Sequence, residues 1–414
     1  MLNWVNRFNI CVFLDNHHYV SDNNTVECLA AAGSVASFQM PAGNALSKLE
    51  HFHQQYEDWV FGHLAYDLKN EIESVHSSHP DGIGFPDIYF FVPEVVLQLT
   101  ETLLYIGLND HRHETIFREI SNQSLPTDPP AHQNIEIAGR FTKEEYLHTI
   151  RQLQQHIQAG DCYEINFCQE FYADHVRVDP LLTYLQLSNK SPNPFSAFYK
   201  TDERFVLCAS PERYLQKKGH NIFSQPIKGT RVRDTFNIQA DEEGRHKLSE
   251  STKDRSENVM VVDLVRNDLA KICEKGSVVV NELFGVYTFP QVHQMISTIT
   301  GVVRPDAGLA EMLRSTFPMG SMTGAPKKRV MELIERYERT RRGVFSGAIG
   351  YITPEGDFDF NVVIRSLLYN ATTGYLSFQA GSAITFYSVA EQEYDECLVK
   401  IAAIKKVLAG ANTF

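Results

Sequence analysis

The chain has 414 residues, 43% of them hydrophobic and 21% charged, enough for a large buried core of roughly two to three domain-sized units, which excludes disordered and fibrous classes. Its formal net charge of −13 repels nucleic acid and acidic membranes, and no Lys/Arg run offsets that field, so small molecules and proteins are the expected partners. The seven cysteines are scattered and never spaced C-x-x-C, which suggests neither a disulfide framework nor a zinc site and fits a reducing, cytoplasmic setting.

Near the N-terminus the apolar stretch Ile10-Cys11-Val12-Phe13-Leu14 is too short, and lacks the basic flank, for a signal peptide, and no later run approaches the ~20 apolar residues of a membrane span. Residues 1–120 carry no legible chemistry, although their apolar content indicates structure. A break in composition from Asn122 to Gln133, rich in Ser, Pro, Thr, Asp and His, reads as a linker or long loop. It separates an N-terminal region, 1–135, from the remainder, 136–414. After it, Thr142 and Glu145 have capping-box spacing, and Tyr146, Ile150, Leu153 and Ile157 recur at helical intervals until Gly160, which predicts an amphipathic helix.

The pattern then switches to period two: Tyr163, Ile165 and Phe167 point one way, Glu164, Asn166 and Cys168 the other, predicting a strand. Further strands are expected around 206–208, 278–280, 347–351, 362–368 and 375–379, and helices near 247–275, 308–316, 326–339 and 391–409, with Pro326 in the first turn of its helix. Strands and helices fall in uneven groups without a βαβ rhythm. That favours an α+β layered sandwich, largely antiparallel with flanking helices, over a doubly wound sheet, and no internal repeat is visible.

Lys228 lies in Pro226-Ile227-Lys228-Gly229-Thr230, with Glu212 upstream in Ser210-Pro211-Glu212-Arg213. A stiff segment of this kind can hold a lysine in an apolar pocket, where lost solvation makes it a nucleophile; read alone, the motif also fits a solvated surface lysine. Asp254 with Glu257, and Glu393 with Glu396, each have i, i+3 spacing, which puts both carboxylates of a pair on one helical face. Two such faces across a cleft would offer oxygen ligands to Mg²⁺, and each alone equally fits a solvated helix face. Lys400 follows Glu396 by one turn, and Arg365 ends an apolar run, as a strand-end surface residue or a carboxylate fork. The glycine-containing segments 320–327 and 380–384 could bring backbone N–H groups to an anion or simply form tight turns; neither matches a phosphate-binding or dinucleotide fingerprint. His293 could carry a proton or be structural.

Taken together, these blocks resemble the chorismate-utilising enzymes, above all their aminodeoxychorismate synthase branch. The similarity runs from about Phe141 to Leu408, with an echo at His63-Leu64-Ala65-Tyr66-Asp67-Leu68-Lys69-Asn70, and its strongest block runs from Asp254-Arg255-Ser256-Glu257-Asn258 to Arg266-Asn267-Asp268. The resemblance implies the layered fold of that family, with 1–135 contributing to the sandwich and 136–414 as the chorismate-binding catalytic region. It further implies Lys228 as nucleophile where anthranilate synthases have alanine, and Glu212 as acid. Glu257 and Glu396 would hold Mg²⁺, with Asp254 and Glu393 behind them. Arg365, Lys400, His293, Thr323, Gly381 and Ser382 would contact chorismate. Two departures stand out. Glu164 occupies a position where this branch usually resembles glutamine and isochorismate synthases carry a lysine base; the Ala380-Gly381-Ser382-Ala383-Ile384 segment lacks the usual second glycine. No Gly-x-Cys-x-Gly elbow is present, so the resemblance implies ammonia, or glutamine through a separate glutamine amidotransferase. An anthranilate synthase-like aminase and a noncatalytic member binding that amidotransferase are the alternatives.

Overall fold

The computed structural model describes residues 1–19, 27–123, 135–289 and 292–409; most of the composition break at 122–133 lies outside the described residues. The period-two segment forms the strand Glu164–Ala173, and it is buried along nearly its whole length, because both of its faces meet core. Ile165 and Phe167 pack under Tyr146, Ile150 and Leu153 of the helix Lys143–Gln158 and Val330 and Ile334 of the helix Lys327–Tyr337. Cys168 instead faces a second core with Phe61, Phe91, Phe360 and Val262. One alternation therefore feeds two cores, as expected for a middle layer of a sandwich.

Two antiparallel sheets make that sandwich. Among the described residues eleven strands form the first: Gly324–Ala325, Glu164–Ala173, Tyr375–Ile384, Ser366–Asn370, Arg204–Ser210, Phe195–Thr201, Ile10–Asp15, Cys28–Ala32, Val95–Leu99 and Leu104–Gly107 follow one another, and Ala138–Gly139 pairs with Glu164–Ala173 off that path. Ten form the second: Ile227–Val232, Val292–Val302, Asn221–Gln225, Arg213–Lys218, Phe358–Asn361, Ala348–Ile352, Val60–Leu64, Ile88–Val92 and Ala36–Met40 in order, with Val279–Thr288 pairing Val292–Val302 off that path. The α+β layered architecture matches the sequence expectation, and residues from the N-terminal region supply one end of both sheets.

Local signals hold where they are short-range. Thr142 caps Lys143–Gln158 as a full capping box: its Oγ1 accepts the Glu145 N–H at 3.2 Å, and Glu145 Oε2 accepts the Thr142 N–H at 2.8 Å. Several expectations need correction. The helix expected near 247–275 is two, Ile238–Ser249 and Thr252–Ala270, because Ser251 restarts the chain by capping the Asp254 N–H. The 391–409 helix likewise divides into Ala390–Lys400 and Ala402–Leu408. Pro326 stands at the N-cap of Lys327–Tyr337, one residue outside its first turn. Of the expected 362–368 strand only 366–368 is strand; 362–365 is a crossover, in which the chain leaves the second sheet after Asn361 and enters the first at Ser366. Its apolar run reflects passage through the inter-sheet core, where Val362 and Val363 are buried.

Candidate active site

Lys228 reaches its surroundings through a backbone irregularity. Strand Ile227–Val232 pairs with Val292–Val302 at Ile227↔Ile296 and again at Thr230↔Gln294, so Lys228 and Gly229 occupy a bulge, a device that re-aims side chains. Gly229 has φ +89°, and a Cβ there would lie 3.0 Å from the Asp254 side chain, which is why the strand can approach the helix Thr252–Ala270 so closely. Lys228 is 9% exposed, and its Nζ donates to Glu164 Oε1 at 2.7 Å. The apolar pocket expected from the sequence is absent. Burial disfavours the ammonium, but Glu164, Glu257 and Glu212 outweigh it and raise the lysine above its ordinary pKa. The resting side chain is thus a charged, paired lysine.

Glu212 sits between the strands Arg204–Ser210 and Arg213–Lys218, its N–H donating to Ser210 Oγ at 3.2 Å and its carbonyl accepting the Val362 N–H at 3.0 Å. That second bond ties it to the crossover carrying Arg365, which adopts φ +51° and whose carbonyl accepts the Ala209 N–H. Burial pushes the Glu212 carboxyl up to about 7, against the opposing influence of the Ser321 hydroxyl, Lys228, the Ile227 N–H and Arg365. Ser321 Oγ closes no full hydrogen bond of its own. The Arg365 guanidinium is lowered by burial, with Glu212 acting in the opposite sense. A carboxyl poised near neutrality and an arginine therefore act electrostatically on one another.

The two acidic pairs do face each other, and a lysine bridges them. Lys253 Nζ lies 3.0 Å from Glu393 Oε1 and 3.8 Å from Glu257 Oε1, linking the helices Thr252–Ala270 and Ala390–Lys400. Glu257 Oε1 and Glu393 Oε2 are buried without hydrogen-bond partners, and burial raises Glu257 to about 7 despite Lys228 and Lys253. Glu396 is more open, with 45% of its side chain exposed, and pairs with Lys400 at 2.8 Å. Burial would raise it, yet Lys400, Lys253 and Lys228 hold it below the ordinary carboxylate range. Among the described residues no three His, Cys, Asp or Glu side chains close around a single ion. Orphaned carboxylate oxygens with an ammonium lodged between them nonetheless suit Mg²⁺, which takes one or two carboxylates and leaves its other positions to water and substrate.

The remaining predicted residues are committed elsewhere. His293 is buried with Nδ1 3.0 Å from Thr288 Oγ1 and Nε2 3.0 Å from Asp241 Oδ1, so neither ring nitrogen is left for a ligand. Thr323 donates its hydroxyl to Met319 O at 3.1 Å. Gly381 and Ser382 belong to the paired strand Tyr375–Ile384, not to a loop; a Cβ on Gly381 would meet Phe167 O at 2.1 Å, so this glycine permits close strand contact. Its carbonyl accepts from Lys400 Nζ at 2.8 Å, while Ser382 Oγ is buried and unpartnered.

Two residues next in sequence to predicted ones escaped the sequence reading. Lys253 adjoins Asp254 and stands i, i+4 from Glu257, a spacing that was legible. Gln294 follows His293 and is fully buried with neither amide atom bonded; nothing local distinguishes it. A cavity of about 70 Å³ between the sheets, lined by Asn16, Phe195, Tyr351 and Asn361 among others, contains none of the predicted residues. The seven cysteines are buried and unpaired, and burial pushes Cys168 up to about 12 and Cys162 and Cys397 to about 11, which leaves them unreactive.

The chain is similar to known proteins in sequence and in fold. The chain is 36% identical to aminodeoxychorismate synthase component 1 of Klebsiella aerogenes over 92% of its own length and 84% of that protein's. It is 32% identical to an anthranilate synthase component I-like protein of Synechocystis over 86% of this chain and 74% of that protein.

 The chain is also 32% identical to aminodeoxychorismate synthase component 1 of Bacillus subtilis over 87% of this chain and 79% of that protein. In three dimensions the chain superimposes on anthranilate synthase component I from Streptococcus pneumoniae with a TM-score of 0.80 at 24% identity, covering 94% of each chain, which shows the shared fold. Residues 15–406 match the chorismate binding enzyme family. With that match spanning both sheets and every element that presents Lys228, Glu212, Glu257 and Arg365, the chain belongs to the chorismate binding enzymes.

Proposed function

We propose that this chain aminates chorismate at C4, with Mg²⁺ and with ammonia delivered by a separate glutamine amidotransferase, to give 4-amino-4-deoxychorismate for 4-aminobenzoate and folate synthesis in the cytoplasm. The observation that carries the reading is Lys228 held in a bulge beside Glu212, a carboxyl raised to about 7. Lys228 Nζ bonds to C2 of the ring as the C4–O bond breaks, and Glu212 protonates the departing oxygen, which leaves as water. Ammonia then bonds to C4 as the C2–N bond breaks, the new C4 ammonium returns a proton to Glu212, and Lys228 is regenerated. Arg365 supplies a fork for one substrate carboxylate. Glu257 and Glu396, with Asp254 and Glu393 beside them, would hold Mg²⁺, which when bound supplies positive charge against the other carboxylate. Relatives named as a component 1, and seven buried, unreactive thiols in place of a glutaminase nucleophile, support a second subunit as the ammonia source. Among the described residues no helix is long and apolar enough to cross a membrane.

The test is incubation with chorismate, Mg²⁺ and ammonium at mildly alkaline pH, with products separated by chromatography and identified by mass. Wild type is expected to give aminodeoxychorismate, and Lys228→Ala and Lys228→Arg to lose it; the arginine variant keeps a cation for Glu164 and so guards against simple misfolding. Anthranilate from the wild type would move the chain to the anthranilate synthase-like alternative, and unchanged chorismate to a noncatalytic amidotransferase-binding role.

A further inference from the structure

A lysine can add to carbon only through a lone pair, which an ammonium lacks. Lys228 is charged at rest, so a proton must leave Nζ before or as the bond to C2 forms, and it must go to a group already within hydrogen-bond reach. Among the described residues Glu164 accepts the only side-chain hydrogen bond that Lys228 makes, at 2.7 Å. The other carboxylates facing Lys228 are Glu257, Glu212 and Glu396, and none forms an ion pair with it within 4.0 Å. The Glu164 side chain is 3% exposed, its second oxygen is buried without a partner, and its backbone is paired to Ala325. The carboxylate is thus fixed, dry and half unused.

We propose that Glu164 is the proton acceptor for Lys228, a positioning residue that acts through the nucleophile; this rests on the amination reading above. As the Nζ–C2 bond forms, one Nζ proton passes to Glu164 Oε1. The carboxylic acid holds it for the lifetime of the adduct. When ammonia bonds to C4 and the C2–N bond breaks, the proton returns to Nζ and the ion pair is restored, so Glu164 ends the cycle unchanged. A glutamine, which the aminodeoxychorismate synthase branch usually resembles at this position, accepts the same hydrogen bond but cannot take the proton, so the route through Glu164 is particular to this chain.

Glu164→Gln separates this role from a purely electrostatic one. Labelling of Lys228 by an amine-reactive sulfonate across pH, read by peptide mass, is expected to shift to lower pH in the variant, because the carboxylate that favours the ammonium is gone. Despite that freer amine, kcat with saturating chorismate and ammonium is expected to fall about 100-fold, with KM within about threefold of wild type and partial recovery in Glu164→Asp. A Glu164→Gln enzyme that aminates as fast as wild type or faster overturns the proposal. A wild type that gives no aminated product overturns the amination reading itself, and that failure is recognised in the wild type alone.

Discussion

At the scale of single residues, the cluster is governed by burial set against pairing. Glu212 shows the first force winning: its carboxyl rises from an ordinary 4.5 to about 7. Lys228 shows the second winning, because three carboxylates exceed its desolvation. For Glu212 the folded pKa lies above the unfolded one, so the folded state binds the extra proton; its contribution to stability is full below about 4.5 and is lost as pH rises through about 7. Glu212→Gln is therefore expected to flatten the pH dependence of stability between about pH 4.5 and 7 by about 3 kcal/mol, measured by urea unfolding at a series of pH values. An unchanged slope would mean that this carboxyl titrates normally.

At the scale of elements, two helices from distant parts of the chain are joined by one side chain. Lys253 holds Glu393 at 3.0 Å with 43% of its own side chain exposed, so the pair is partly screened. Removing it as Lys253→Ala is expected to destabilise the metal-free protein by about 1 kcal/mol. Mg²⁺ should restore more stability to the variant than to wild type, since the ion would meet the same orphaned oxygens without a resident ammonium; thermal melts with and without Mg²⁺ make the comparison. The i, i+3 spacing made each acidic face legible in the sequence. Which acid is buried was not legible: Glu393 lies inside and Glu396 toward solvent, because the packing of Ala390–Lys400 on the strand Tyr375–Ile384 sets the rotation of the helix.

At the scale of the whole molecule, residues 1–135 do not stand apart. They supply Ile10–Asp15, Cys28–Ala32, Val95–Leu99 and Leu104–Gly107 to one sheet and Val60–Leu64, Ile88–Val92 and Ala36–Met40 to the other. Without them, Phe195–Thr201 and Ala348–Ile352 would become bare edges and the inter-sheet core would open. Calorimetry and near-UV circular dichroism are expected to give one coincident unfolding transition, and two separated transitions would show that the regions unfold independently.

The sequence by itself determined what depends on neighbours along the chain: the capped helix after Thr142, the period of Glu164–Ala173, the acidic pairs, and the blocks that mark the family. Only the tertiary structure decided what depends on residues far apart. It placed the bulge at Lys228 against Glu164, turned residues 362–365 into a crossover bearing Arg365, and closed His293 onto Asp241. The physical reason is that a side chain's charge and freedom are set by the partners that packing brings within a few ångströms, and those partners here come from strands and helices many residues away.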